Sequence, residues 1–358
     1  MTIIADLQAL VECQSPTEDL AACRSVVDLA AQIAARVLPT PAEIIEESGR
    51  PVFWWGSQNP KIVLLAHLDT VWPHNSYLPL WKVEGDIAKG PGVFDMKAGF
   101  LQAMYAVADI PGASDSVALI ATTDEEVGSQ TSRALIERLA KGADAVLVLE
   151  ASLNGKVKTG RKGTAMYSIS IHGRAAHAGL EPEKGINATS EIAAIVAQVV
   201  ALEDATHGTT VVPTTMHSGT TTNTVPALAT LDIDVRSFLK SELSRVDAAV
   251  KNLQAKHPEA RIEITGGINR PPLEPASTAA LYEKLEATLA KAGLPPVGSA
   301  SVGGASDGNF AAAAGAPTLD GLGAVGDGAH APHEQISLSS IPARVTMLNL
   351  FIKELLSV

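Results

Sequence analysis

A chain of 358 residues is longer than one ordinary core supports, so two domains are expected. A composition that is 46% hydrophobic and 18% charged excludes a disordered chain. Lys and Arg number 27 against 39 Asp and Glu; the formal charge of -12 repels phosphate backbones and excludes nucleic acid as a partner. Any anionic ligand must therefore be met by local positive charge.

In chain order, residues 3–11 carry helical periodicity. Ser15-Pro16-Thr17 then restarts the chain, with a Ser or Thr cap predicted ahead of a long Ala-rich helix ending near Val37. Asp6 and Glu12 interrupt the apolar N-terminus and no basic lead precedes it, so it does not read as a signal peptide. No apolar run is long enough to span a bilayer, and a cytoplasmic protein without membrane contact is expected. Cys13 and Cys23 fit neither a disulfide framework nor zinc-ligand spacing and read as small buried residues.

Strands are predicted over 43–46 and 51–55, followed by an apolar run from Ile62 to Ala66 that ends in His67-Leu68-Asp69. A loop rich in Pro, Gly and Trp leads to Asp95, placed at the start of a helix over 96–108. Strand 117–122, helix 132–140 and strand 145–149 complete an alternation that implies a mainly parallel sheet covered on both faces. Beyond Glu150 the texture changes to a long β segment over 157–172, a helix over 188–202, strands over 209–217 and 229–235, a helix over 241–255 and a strand over 261–265. Two helices on a four-stranded sheet make a two-layer α+β unit inserted into an α/β domain. The division is 1–157, 158–270 and 271–358, the outer parts forming one domain. A helix over 279–292, a Gly-rich stretch containing Asp307, His330 and Glu334, and a last helix over 341–356 close the chain.

Strand ends carry the chemistry. The strand over 62–66 delivers His67 and Asp69, that over 117–122 runs into Asp124-Glu125-Glu126, that over 145–149 into Glu150, and the Gly-rich stretch supplies His330. Singly, each has a structural reading, as a satisfied strand-end His, a solvated acidic turn or an exposed strand terminus. Jointly, two His and three carboxylates with one bridging suit a pair of zinc ions about 3.5 to 4 Å apart. One acid is then spare, so of Glu125 and Glu126 one binds metal and the other moves protons. Asp69, two residues beyond His67, is placed to accept the other imidazole N–H.

These motifs, with GPGVFDMKAG, DEEVGS, GRAAHAG, TNTVP, DVR, GGASDG and GAHAPHE, resemble the dinuclear zinc metallopeptidase family 20 of aminoacylases, desuccinylases, acetylornithine deacetylases and glutamate carboxypeptidases. HGRAAHAGLEPEKGINA and GPGVFDMKAG are most similar to the glutamate carboxypeptidase branch. The resemblance implies that His67 and Glu150 hold one zinc, Glu126 and His330 the other, and that Asp95 bridges them, with cobalt or manganese as alternative metals. It implies Glu125 as the base and makes residues 158–270 a lid and dimerisation domain of a homodimer. There His177 would stabilise the oxyanion, and Asn223, Arg236 and Gly304 would meet the substrate, Arg236 at its carboxylate. A protein of net charge -12 that binds a carboxylate needs such a fixed cation, for which Lys162 and Arg270 are further candidates.

In GAHAPHE, His330 is preferred to His333 because the family's ligand lies several residues before the Glu. Glu150 stands where other members have Asp. His74, His172, His207, His217 and His257 are read as surface or structural. The expected reaction is cleavage of an amide beside a free carboxylate, releasing a C-terminal amino acid, with glutamate among the candidates. An N-acyl-amino-acid deacylase is the alternative. A non-catalytic member would have no need of Glu125.

Overall fold

Five consecutive apolar side chains cannot alternate with solvent, so Ile62–His67 has to be a strand buried on both faces, and it is. Leu64 packs with Phe53, Trp55 and Phe100 on one side of the sheet, whereas Leu65 packs with Trp54, Ile120 and Ile136 on the other. Each such burial contributes about 1.5–3 kcal/mol. The computed structural model describes residues 2–357. It divides into two units, Met1–Gly160 with Leu273–Val302 and Ser306–Val358, and Arg161–Pro272 with Gly303–Ala305.

The first unit is α/β. Its six-stranded sheet runs Glu43–Glu47, Arg50–Gly56, Val117–Thr122, Ile62–His67, Ala145–Val148, Thr318–Leu319. The last four strands are mutually parallel, and the first two attach as an antiparallel edge. The Gly-rich stretch is explained at Gly323: a Cβ there would lie 2.1 Å from the Leu149 carbonyl oxygen, so only glycine lets this segment pass the strand end. The closing helix Ile341–Leu356 matches its predicted bounds.

Three local expectations change. The helix Leu20–Val37 is capped by Asp19, whose carboxylate accepts the Ala21 and Ala22 N–H groups, and not by Ser15 or Thr17. Those hydroxyls instead donate to the Leu68 carbonyl and to the Asp69 carboxylate, at 2.6 and 2.8 Å. Asp95 does not open a regular helix. It sits in an irregular turn, Val93–Lys97, with Asp95 (φ -116°, ψ 92°) and Met96 (φ -135°, ψ 31°) outside helical values, and the helix begins at Ala98. Finally, the long β segment is two strands, Val157–Arg161 and Gly163–His172, which belong to different sheets.

The second unit is an antiparallel sheet in the order Thr210–Ser218, Leu228–Ser237, Gly163–His172, Arg261–Arg270. Helices Ala188–Val200 and Lys240–Lys251 cover one face through Ile192, Ile195, Leu243 and Val246, packed on Ile169, Ile171, Leu231 and Ile233. Among the described residues no helix is long and apolar enough to cross a membrane. Both cysteines are free thiols.

Candidate active site

Parallel register brings the strand ends level. His67 lies opposite Thr122, and Leu65 opposite Val148, so His67, the turn after Thr122 and Glu150 leave the sheet at its common C-terminal edge. Asp95 and His330 arrive from outside the sheet. Their loops are joined by a small antiparallel sheet of strands Lys82–Glu84, Ile87–Lys89, Gln335–Ser337 and Gly326–Asp327. Strands of two or three residues have no readable periodicity, so this connection is invisible to pattern reading.

Two facing groups result. His67, Glu125 and Glu150 offer ligand atoms within 4.8 Å of one another, and so do Asp95, Glu126 and His330. Asp95 joins the groups: Oδ1 is 3.3 Å from His67 Nε2 and Oδ2 is 3.3 Å from His330 Nε2. Glu150 Oε1 lies 3.6 Å from His67 Nε2, and Glu126 Oε2 lies 3.1 Å from His330 Nε2. His333 is not in either group; its nearest acid is Asp327, at 3.9 Å. Imidazole nitrogen and carboxylate oxygen in this proportion are the donor set that suits zinc and neighbouring divalent metals, so the residues fit the group.

The surroundings hold these side chains in place. His67 Nδ1 faces the Asp69 backbone carbonyl at 3.1 Å and the Asp69 carboxylate at 3.4 Å, so the backbone oxygen is the nearer acceptor. The Asp69 carboxylate accepts Thr17 Oγ1–H and the N–H groups of Glu125 and Glu126, at 2.8, 3.4 and 3.2 Å. It therefore fixes the acidic turn as much as the imidazole. Asp124 points away from the site; its Oδ2 accepts Thr131 N–H and Oγ1–H, both at 2.7 Å. Gly128 then closes the turn at φ 92°, a conformation that favours glycine.

Charge is strongly coupled here. Burial opposes a charged His67, but Asp69, Asp95 and Glu150 outweigh it and push its pKa well above the ordinary value. Asp95 and Glu126 raise His330 to about 10. Burial also works against the Asp95 carboxylate, yet the two imidazoles pull it below its usual range, while burial raises Glu126. Carboxylates crowded together in this way need positive charge beside them. Divalent cations answer the same need.

In the second unit the candidates are more exposed. His177 pairs with Thr224 across the short strands Ala176–His177 and Thr224–Val225, which makes Asn223 its neighbour. His177 Nδ1 accepts the N–H groups of Gly179 and Leu180, each at 3.1 Å, so the neutral ring carries its proton on Nε2. The fork of Arg236 is already held: Nε and Nη2 donate to Asp234 at 2.9 and 3.1 Å, and Nη1 faces the Gly303 carbonyl at 3.4 Å. A guanidinium so occupied offers a further carboxylate only its outer edge, which narrows the bidentate role expected for it. The Gly304 carbonyl accepts Arg161 Nη1–H at 3.2 Å. Lys162 Nζ sits 5.5 Å above the Phe238 ring; burial and then the Arg236 charge lower its pKa. Arg270 is buried.

An α/β sheet whose strand ends, together with two loops from outside it, present two linked His–carboxylate groups defines a metal-dependent hydrolase. The chain belongs to peptidase family M20/M25/M40, whose model matches residues 63–354. It is 33% identical over 314 residues to carboxypeptidase G2 of Pseudomonas sp. (strain RS-16), covering 84% of this chain and 75% of that protein. It is 27% identical over 364 residues to succinyl-diaminopimelate desuccinylase of Halorhodospira halophila, covering 93% of each. In fold it matches the crystal structure of aminopeptidase PepT from Bacillus cereus, with a TM-score of 0.80, 22% identity and coverage of 99% of this chain and 98% of that one.

Proposed function

We propose that the protein is a two-zinc hydrolase that cleaves an amide beside a free carboxylate and releases a C-terminal amino acid. The observation that carries this reading is Asp95, whose two oxygens each face a different imidazole at 3.3 Å. A carboxylate shared in this way is what two cations set about 3.5–4 Å apart require. His67 and Glu150 would hold one ion and Glu126 and His330 the other, with Asp95 common to both. Bound there, the ions polarise the scissile carbonyl and acidify the attacking water.

Glu125 then takes the proton from that water as oxygen attacks the carbonyl carbon, and returns it to the leaving nitrogen as the C–N bond breaks. Asp69 holds the Glu125 and Glu126 backbone, which keeps the base and its metal-binding neighbour at a fixed offset. His177, with its proton on Nε2, donates to the oxyanion in this reading. Asn223, Arg236 and Gly304 bind the substrate, Arg236 through its outer edge to the carboxylate. The reading includes a cytoplasmic homodimer formed through residues 158–270.

Similarity to carboxypeptidase G2 favours peptide-like substrates ending in a free amino acid; glutamate is a candidate from the motif resemblance alone. Similarity to the desuccinylase over 93% of the chain favours a second reading, removal of an acyl group from an N-acyl amino acid. A panel of dipeptides, acyl-glutamates and N-acyl amino acids, assayed with metal content measured on the same sample, separates them. Absence of bound divalent metal would remove both readings.

A further inference from the structure

One buried carboxylate near the metal candidates has no part in the chemistry above. Glu334 is fully buried and lies four residues after His330. Its Oε2 accepts Trp72 Nε1–H at 2.8 Å and Gly92 N–H at 3.0 Å; its Oε1 accepts Phe94 N–H at 2.9 Å and Asp95 N–H at 3.1 Å. Its backbone carbonyl also accepts the Tyr77 hydroxyl at 3.0 Å, and the Tyr77 and Trp72 rings meet edge-to-face with centroids 5.0 Å apart. Four N–H donors converging on two oxygens specify a group that only accepts. Burial raises the Glu334 pKa, and the same donors work against that rise.

Three of those donors belong to the turn that delivers Asp95, while Glu334 itself follows the loop that delivers His330. The carboxylate is thus a clasp between two segments more than two hundred residues apart in sequence, whose side chains come within 3.3 Å at Asp95 and His330. We infer that Glu334 is a positioning residue: it sets the Asp95 turn against the His330 loop, and through them the metal position formed by Asp95, Glu126 and His330. His330 belongs to that position alone, and the other position shares only Asp95 with it, so the other position depends on Glu334 less. This inference rests on the two-metal reading.

Glu334→Gln tests it. Whichever oxygen becomes the amide, two N–H donors then face an N–H₂ group, and the clasp opens while side-chain volume stays the same. Zinc and cobalt(II) titrations, with metal content after dialysis and the visible spectrum of the cobalt form, should show one ion bound with affinity close to the parent's. The second should bind roughly 10- to 100-fold more weakly. Trp72→Phe removes a single donor and should weaken the same ion alone, by less; it decides the matter if Glu334→Gln does not fold. Two ions bound by Glu334→Gln with parent affinity would overturn the inference, as would equal weakening of both together with a lowered melting temperature. A parent protein that binds fewer than two ions would instead overturn the two-metal reading.

Discussion

The candidate residues of the two units are supported in different ways. In the first unit, His67, Asp69 and Glu150 are buried, and the Asp69 carboxylate holds the backbone N–H groups of Glu125 and Glu126; His330 is the exposed member of the set. In the second, His177, Asn223 and Arg236 are more open; the His177 ring accepts only the N–H groups of Gly179 and Leu180, and Arg236 is held by Asp234 and the Gly303 carbonyl. Metal ligands have to be held at fixed separations before any ion arrives, since a misplaced ligand loses affinity steeply. Groups that meet a substrate have only to reach it when it is bound, and exposed side chains can reorient at small cost.

The largest test of the first half of that comparison is Glu125→Gln. Turnover should fall roughly 10²- to 10⁴-fold while both metal ions are retained, read from kcat and metal content on one preparation. Loss of metal in parallel with turnover would make Glu125 a ligand, in line with its place beside His67 and Glu150, and not the base. Asp69→Asn comes next. An amide cannot accept Thr17 Oγ1–H and two backbone N–H groups as the carboxylate does, so metal affinity should drop roughly 10- to 100-fold at both positions. Metal titration checks it, and an unchanged affinity would mean that the acidic turn holds its shape without Asp69.

How much of this was legible in the sequence follows from the same contrast. A run such as Ile62 to Ala66 announces a buried strand, and a His, Asp or Glu directly after such a run falls at a sheet edge whatever the rest of the fold does. That is why His67, the Glu125-Glu126 pair and Glu150 stand out from the pattern alone, whereas the choice of Glu126 as the ligand rests on the family resemblance. Asp95 was visible, but its irregular turn was not, because no periodicity encodes a backbone that leaves the helix for two residues. Glu334 is visible in the Gly-rich stretch, but its role lies in N–H groups of residues 92–95, which no local pattern reveals. Ser15 and Thr17 looked like helix caps because cap preference is a local rule, and tertiary hydrogen bonds to Leu68 and Asp69 overrode it. Arg236 is expected as a fixed cation for a substrate carboxylate, yet its partner, Asp234, lies two residues away on the same strand, where the alternation pattern says both point to one face. That pairing could have been drawn from spacing alone.

In the second unit, Arg236→Ala should raise KM for substrates with a free carboxylate by about tenfold, one such contact being worth roughly 1.4 kcal/mol. KM for the matching carboxamides should move much less. Asp234→Ala sharpens the test. Freeing the fork should lower KM for the carboxylate substrates, and a rise instead would show that Asp234 is needed to aim the guanidinium. Equal losses on acids and amides in Arg236→Ala would count against Arg236 as a clamp on the carboxylate.

The smallest effect concerns the frame of the second unit and not its chemistry. Asp247 accepts the Tyr167 hydroxyl at 2.8 Å and Lys251 Nζ at 2.9 Å, joining the helix Lys240–Lys251 to the central strand Gly163–His172. Burial works against the carboxylate, but Lys251 and Tyr167 outweigh it and hold its pKa below the ordinary 3.8. A carboxyl depressed on folding contributes stability above the unfolded value, and that contribution is lost as pH falls through the folded one. Solvent screens the pair, so it is worth less than about 1 kcal/mol. Asp247→Asn should therefore melt slightly lower than the parent at pH 7, and the gap should close below the ordinary 3.8 as the parent's own carboxyl takes up its proton. Thermal melts of both proteins across that range check it. A gap that persisted in acid would assign the difference to the shape of the Tyr167 hydrogen bond and not to charge.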